Sequence, residues 1–253
     1  MAEKSKTHLL ERGDIYFFYR PRVQEKEKED STPKAIEEVQ RFYMIMHPYD
    51  KSYYRLLLIG RKRLPDPETH ERHWATVDTV TDDVKKLRET FKAVTYSTKT
   101  RGKREQPEMR ACGEGVYCIV SAGRNTYFAY QLELPQQPQT VQEEFNIAPE
   151  ASYVISVKNQ LEAGTSSGEA AKFPKNLQNK LRDLRFAPVN PPEFLNYAGA
   201  EIILIGAASD VEEELGITME KEEGTIDTAK IFNDLKLWKN EHTTKPLFTG
   251  KWA

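Results

Sequence analysis

The chain is poor in the residues that mark covalent or metal chemistry. Two cysteines, Cys112 and Cys118, stand in 253 residues. They are too few for a disulfide framework, and C-x5-C is not a zinc spacing. Cys118 lies in an apolar run and reads as core filler in a reducing compartment. No run approaches the ~20 apolar residues that span a bilayer. Met1–His8 has no apolar signal core, so a cytoplasmic protein is expected, with no membrane partner. Gly-x-x-x-x-Gly-Lys-Ser/Thr is absent, which excludes a P-loop, and no Gly-x-Ser-x-Gly elbow occurs. Covalent catalysis therefore has no visible nucleophile. His70 and His73 are three apart, but two ligands do not make a zinc site, and His8, His47 and His242 fall in expected loops or tails. No metal and no cofactor is expected. Glu114 and Asp14 are the remaining candidates for acid–base work.

Apolar residues are also scarce, at 38%, against 30% charged. A strongly polar surface follows, with some segments short of groups to bury. The net charge of −2 conceals an asymmetry. Residues 1–130 hold 25 Lys and Arg against 20 Asp and Glu, and residues 131–253 hold 12 against 19. A basic front half suits an anionic partner; two halves that complement each other electrostatically account for the split equally well.

What is present is strand. Ile15–Tyr19 and Tyr53–Ile59 are runs of β-formers, and each ends in a cationic cluster: Arg20 and Arg22 after the first, Arg61, Lys62 and Arg63 after the second. Arg41–Met46 pairs with 53–59 as a hairpin across His47–Ser52. Further strands are expected at 74–80, 116–120, 126–134, 152–158 and 201–206. In 126–134, Phe128, Tyr130, Leu132 and Leu134 share the core face. A helix opens at Thr81 or Asp82 and buries Val84, Leu87 and Phe91. Short helices are expected at 140–146, at 174–184 with Leu177, Leu181 and Leu184 on one side, and after Pro191–Pro192. Residues 24–34 and 95–115 read as loops, and 160–171 as a flexible linker. The organisation is thus one mainly β domain over 11–207, followed by an acidic segment, 208–253, with an amphipathic helix carrying Ile231, Leu235 and Trp238.

The densest basic stretch is Lys99–Arg104, with Arg101, Lys103 and Arg104 close to glycines. Glycine lets backbone N–H groups approach a phosphate, and arginine forks onto its oxygens. A solvated basic loop is the competing reading. Aromatics on strands beside arginines can stack bases, and they can equally be ordinary packing. Tyr16 and Tyr19 point to opposite faces, so one of them is expected in solvent beside Arg20 or Arg22.

Arg12–Val23, Tyr53–Pro65, Gly113–Tyr117, Ser152–Asn159 and Leu195–Gly206 together resemble a family of uncharacterised bacterial and fungal proteins. That family has an R-G-D-I-Y-F-F-Y-R-P-R-V-like segment and a later S-Y-V-I-S-V-K-N-like one. The resemblance spans residues 11 to about 207 and implies no activity and no catalytic residue. The strand opening with Gly13-Asp14 is also similar to the entry into PUA-like β-barrels, which implies RNA or modified-base binding.

The fold class expected is α+β: a curved mixed or antiparallel sheet, or an open β-barrel, covered by short helices. The leading function is binding of RNA, DNA or another phosphate-bearing ligand on a basic edge formed by Arg20, Arg22, Arg61, Lys62, Arg63, Arg101, Lys103 and Arg104. Two rivals stay open. One is a structural or interaction protein with a partner on its C-terminal helix, and the other is an enzyme that clamps a small anionic substrate with arginines.

Overall fold

A computed structural model describes residues 7–25, 32–100, 102–165, 168–222, 224–225, 227–237 and 243–253. The strands are β1 (Thr7–Pro21), β2 (Gln24–Glu25), β3 (Val39–Pro48), β4 (Tyr54–Ile59), β5 (Arg72–Thr81), β6 (Val94–Thr98), β7 (Gly102–Gln106), β8 (Arg110–Ala122), β9 (Asn125–Leu134), β10 (Glu150–Lys158), β11 (Phe186–Pro188) and β12 (Glu201–Ala208). Eight of them close a barrel in the order β1-β3-β4-β5-β12-β10-β9-β8, with β8 returning to β1. Every pairing is antiparallel, so the sheet is neither mixed nor open. The expected 201–206 strand closes this ring between β5 and β10.

Alternation sorts the side chains between the two faces. Ile15, Phe17 and Tyr19 point inward from β1, and Phe128, Tyr130 and Leu132 inward from β9. Leu134, expected with them, lies past a register shift and joins the outer cluster with Tyr16 and Phe18. The lumen is filled with rings. Phe17 lies between Phe42 and Tyr130, at centroid distances of 6.1 and 5.2 Å, and Tyr130 meets Tyr153 at 6.5 Å. An eight-stranded barrel has an interior that side chains can fill. One end is stopped by Phe145 and Trp252 against Tyr19. In another part of the barrel, Arg55 is fully buried and forks onto Glu11 at 2.5 and 2.8 Å, with Tyr117 and Asn196 completing the group.

The outer wall is also covered, which corrects one expectation. Tyr16 and Tyr19 do face opposite ways, yet both are buried. Helix α1 (Val84–Glu89) and Phe91 pack outside Phe18, and the C-terminal residues cover Tyr16, Ile45 and Leu56. Helices α2 (Thr140–Glu144), α3 (Gln160–Ala163), α4 (Lys175–Leu181), α5 (Val211–Leu215), α6 (Lys230–Asp234) and α7 (Lys245–Thr249) are all short. Helix α4 stops before Leu184, which is exposed, because Arg182 takes a positive φ of 48°. Helix α6 buries Ile231, and Leu235 follows it into the same cluster; Trp238 lies outside the described residues.

Residues 95–115 are not loop. They hold β6, β7 and the start of β8. The first two form a separate small sheet with β2, in the order β2-β7-β6. This ribbon escapes a search for apolar alternation because none of its residues is fully buried: Val94 to Ser97, Gly102 and Lys103 are exposed, and Arg104 to Gln106 are half-buried. Gly102, at φ 64°, supplies the turn. Of the two expected loops, residues 26–31 and 166–167 lie outside the described residues. The rest of 160–171 is anchored: Gln160 donates to the Gly199 carbonyl and accepts from the Ala171 N–H.

Candidate functional sites

Two regions concentrate functional groups, and the sequence pointed mainly to the first. The cationic residues after β1 and β4 lie at one rim of the barrel but do not act alike. The Arg20 guanidinium is buried and donates to the carbonyls of Thr90, Lys92 and Pro107, tying the ends of the 90–107 excursion to β1. Arg63 pairs with Glu71 at 2.7 Å, and the more exposed Arg61 lies 3.9 Å from the same carboxylate. Lys62 donates to the Val39 carbonyl at 2.5 Å. Its pKa is lowered, first by burial and then by the nearby charge of Arg22, which brings these two cations together. Arg22 is exposed. Two residues beyond it the chain enters β2, which pairs with β7 at Arg104 and Glu105. The ribbon that carries Lys99, Lys103 and Arg104 is thus joined to the rim that carries Arg22. Tyr96, exposed, sits directly across from Arg104 in the ribbon register. Arg101 lies outside the described residues.

His70 and His73 serve local structure. His70 Nδ1 bonds the Gly206 carbonyl, while His73 contacts the Arg63 carbonyl through Nδ1 and Glu71 through Nε2.

The second region was glimpsed only as isolated Asp14 and Glu114. It lies on the outer wall of the barrel, where α6 docks. Asp14 on β1 and His47 on β3 are register partners, so their side chains share a face. His47 is therefore a strand residue, not a loop residue. Gly13 permits the close approach: a Cβ there would lie 2.1 Å from the His47 carbonyl oxygen. Glu114 on β8 is the cross-strand neighbour of Tyr16. The β8–β9 register shifts between Glu114 and Gly115, leaving Glu133 without a partner at an irregularity of the kind that re-aims side chains.

Helix α6 supplies the other half. The Glu114 carboxylate accepts the backbone N–H groups of Lys230 and Ile231 at 2.7 and 2.8 Å. Lys230 Nζ reaches Asp14 at 3.1 Å and Glu133 at 3.2 Å. Asp234 accepts from the Tyr16 hydroxyl at 2.6 Å, and its Oδ2 lies 3.6 Å from His47 Nδ1. The His47 ring stacks on Tyr54 at 4.3 Å, and the Tyr54 hydroxyl donates to the Asp234 carbonyl. The Tyr49 hydroxyl donates to Asp14.

Burial pushes the Glu114 carboxyl up to about 7, against the pull of its two N–H donors. Burial also raises Asp14, although Lys230 opposes it. For Lys230 burial works downward, yet Asp14 and Glu133 outweigh it and hold the ammonium well above its usual range. Asp234 ends below the usual carboxylate range because His47 and Tyr16 outweigh its burial. Beside this cluster a cavity of about 430 Å³ is lined by Arg12, Tyr49, Tyr117, Met219 and Lys230, among others.

No protein-family model, curated protein or solved structure matches the chain. Among the described residues, no helix is long and apolar enough to cross a membrane.

Proposed function

We propose that the protein binds a nucleic acid through the β6–β7 ribbon and the adjoining barrel rim. The observation that carries this reading is the exposure of the ribbon. A strand pair with no fully buried residue contributes little to a core, and this one carries the exposed Lys99, Lys103 and ring of Tyr96, with the half-buried Arg104 beside them. Arg22 and Arg61 extend the cationic surface along the rim. Arg20 is spent within the fold and Arg63 is held by Glu71, so the contacting set is smaller than the full list of cations.

A two-stranded ribbon fits the major groove of a duplex, and an aromatic ring beside cations stacks on an unpaired base. Fluorescence anisotropy with single-stranded RNA, single-stranded DNA and duplex DNA separates these modes. Binding at low salt is expected, with log affinity falling against log salt by roughly 0.9 per duplex phosphate neutralised and roughly 0.7 for single strands. Lys103→Glu with Arg104→Glu should weaken all sequences alike, because phosphate contacts carry no base information. Tyr96→Ala should weaken single strands selectively, by about 1–3 kcal/mol. No binding of any of the three oligomers at tens of micromolar would rule the reading out.

A further inference from the structure

The cluster under α6 gathers four carboxylates, Asp14, Glu114, Glu133 and Asp234, around one ammonium and one imidazole. Lys230 Nζ meets Asp14 and Glu133, Glu114 takes two backbone N–H groups, and Asp234 faces His47. Within it, one ligand atom each from Asp14, His47 and Asp234 lies within 4.8 Å of the others. The free valences are where a cation would need them. Both hydrogen bonds to Asp14, from Tyr49 and Lys230, fall on Oδ1, and the Asp14 side chain is nine-tenths buried. On Asp234, the Tyr16 bond falls on Oδ2. His47 Nδ1 is shielded from solvent and faces Asp234 Oδ2 at 3.6 Å, too far for a hydrogen bond.

We propose that Asp14, His47 and Asp234 form a binding site for a divalent transition-metal ion. One imidazole and two carboxylates suit Zn²⁺, Mn²⁺, Fe²⁺ or Co²⁺ better than a soft ion, and the nitrogen donor disfavours Mg²⁺ and Ca²⁺. Donors on one tetrahedral Zn²⁺ stand about 3.4 Å apart. His47 Nδ1 and Asp234 Oδ2 are already at 3.6 Å, and closing the rest of the set takes a contraction of up to about 1.4 Å. The surroundings already orient the donors. Tyr54 stacks on the imidazole, Tyr16 holds Asp234, and Tyr49 and Lys230 hold Asp14. Such supporting contacts typically matter 10–100-fold in affinity. Three protein donors are the number found where a position is kept open for water or a ligand. Tyr49 and Lys230, which bond Asp14, also line the 430 Å³ cavity, and Arg12 adds a cation there. An ion at this site would join strands β1 and β3 to α6, and so pin the C-terminal segment to the barrel.

The test uses the full chain, stripped with a chelator and titrated calorimetrically with Zn²⁺ and with Mn²⁺ as the metals alone. One ion per chain is expected. Asp234→Asn should weaken it at least tenfold. His47→Phe keeps a ring against Tyr54 and removes only the nitrogen donors, so it should bind at least tenfold more weakly while staying folded. Co²⁺ should give a visible spectrum in the wild type that H47F loses. His70→Ala should change none of this. The proposal is overturned if the wild type shows no saturable binding of any of the three metals. It is also overturned if H47F binds as tightly as wild type, or if His70→Ala, rather than H47F, abolishes binding.

Discussion

A guanidinium with no solvent exposure, that of Arg55, sits inside the barrel wall, and its bidentate partner Glu11 is itself largely covered. Removing one member of such a pair strands the other charge. Arg55→Met should therefore cost about 3–5 kcal/mol in urea unfolding, whereas the double variant with Glu11→Leu should recover much of the loss. Glu114 gives a pH-dependent counterpart. Its folded-state pKa of about 7 lies above the unfolded value of 4.5, so the folded state holds the proton more tightly. The stability it contributes is full below pH 4.5 and is lost as pH rises through about 7. Glu114→Gln removes that titration. Measured in chelator, the variant should match wild type near pH 4 and exceed it near pH 8, by on the order of 3 kcal/mol at most. A wild-type minus variant difference that stays flat across this range would show that Glu114 titrates normally.

At the scale of elements, the β6–β7 ribbon and the β1–β3 pair make opposite demands. The ribbon packs on little, so replacing residues 95–105 with a short Asn-Gly turn should leave the barrel intact. Its thermal midpoint should move by no more than about 4 °C, equivalent to about 1–2 kcal/mol in a chain of this size. The same deletion should abolish nucleic-acid binding, which separates the ribbon's function from its contribution to stability. Gly13→Ala tests the other extreme. Its new Cβ would meet the His47 carbonyl carbon at 2.8 Å as well as the oxygen, and backbone cannot swing aside as a side chain does. Overpacking of about 1–3 kcal/mol or more is expected by chemical denaturation. The parting of β1 from β3 should also separate Asp14 from His47.

For the whole molecule, the C-terminal residues are part of the barrel's closure. Residues beyond 209 cover Tyr16, Ile45, Tyr54 and Leu56 with Ala229, Ile231, Leu235 and Leu247. Trp252 and the Ala253 carbonyl meet Tyr19 at one end of the lumen. Truncation at 209 should expose a large apolar wall, seen as increased binding of a hydrophobic dye and loss of a single sharp unfolding transition. A truncated chain that stays soluble with an unchanged midpoint would show that the cover is dispensable.

Local pattern was enough for much of this. Period-two alternation in 126–134 identified its inward face as far as Leu132, beyond which the irregularity at Glu133 breaks the alternation. The apolar run at 202–205 marked a strand, of which Ile202 and Leu204 are buried and Ile203 and Ile205 half-buried. The helix at α1 and its buried Leu87 were likewise written in spacing, with Phe91 buried just past its end, although Val84 is half-buried and the cap is Asp83 instead of Thr81 or Asp82. The β6–β7 ribbon was hidden because, with no residue fully buried, it carries no apolar alternation to read. Pairing across the chain decided what spacing could not. Closure through β1–β8 and β9–β10 made a barrel where an open or mixed sheet was equally compatible with the strands. The fate of each cation also depended on its neighbours: Arg20 and Arg22 are two residues apart, yet one is buried against carbonyls of the 90–107 excursion and the other faces solvent. The Asp14–His47–Asp234 cluster draws on positions more than 180 residues apart, and its strand members meet through register, its helix member through docking. No motif of fixed spacing can encode such a site, because its geometry exists only once the C-terminal segment has packed against the barrel wall.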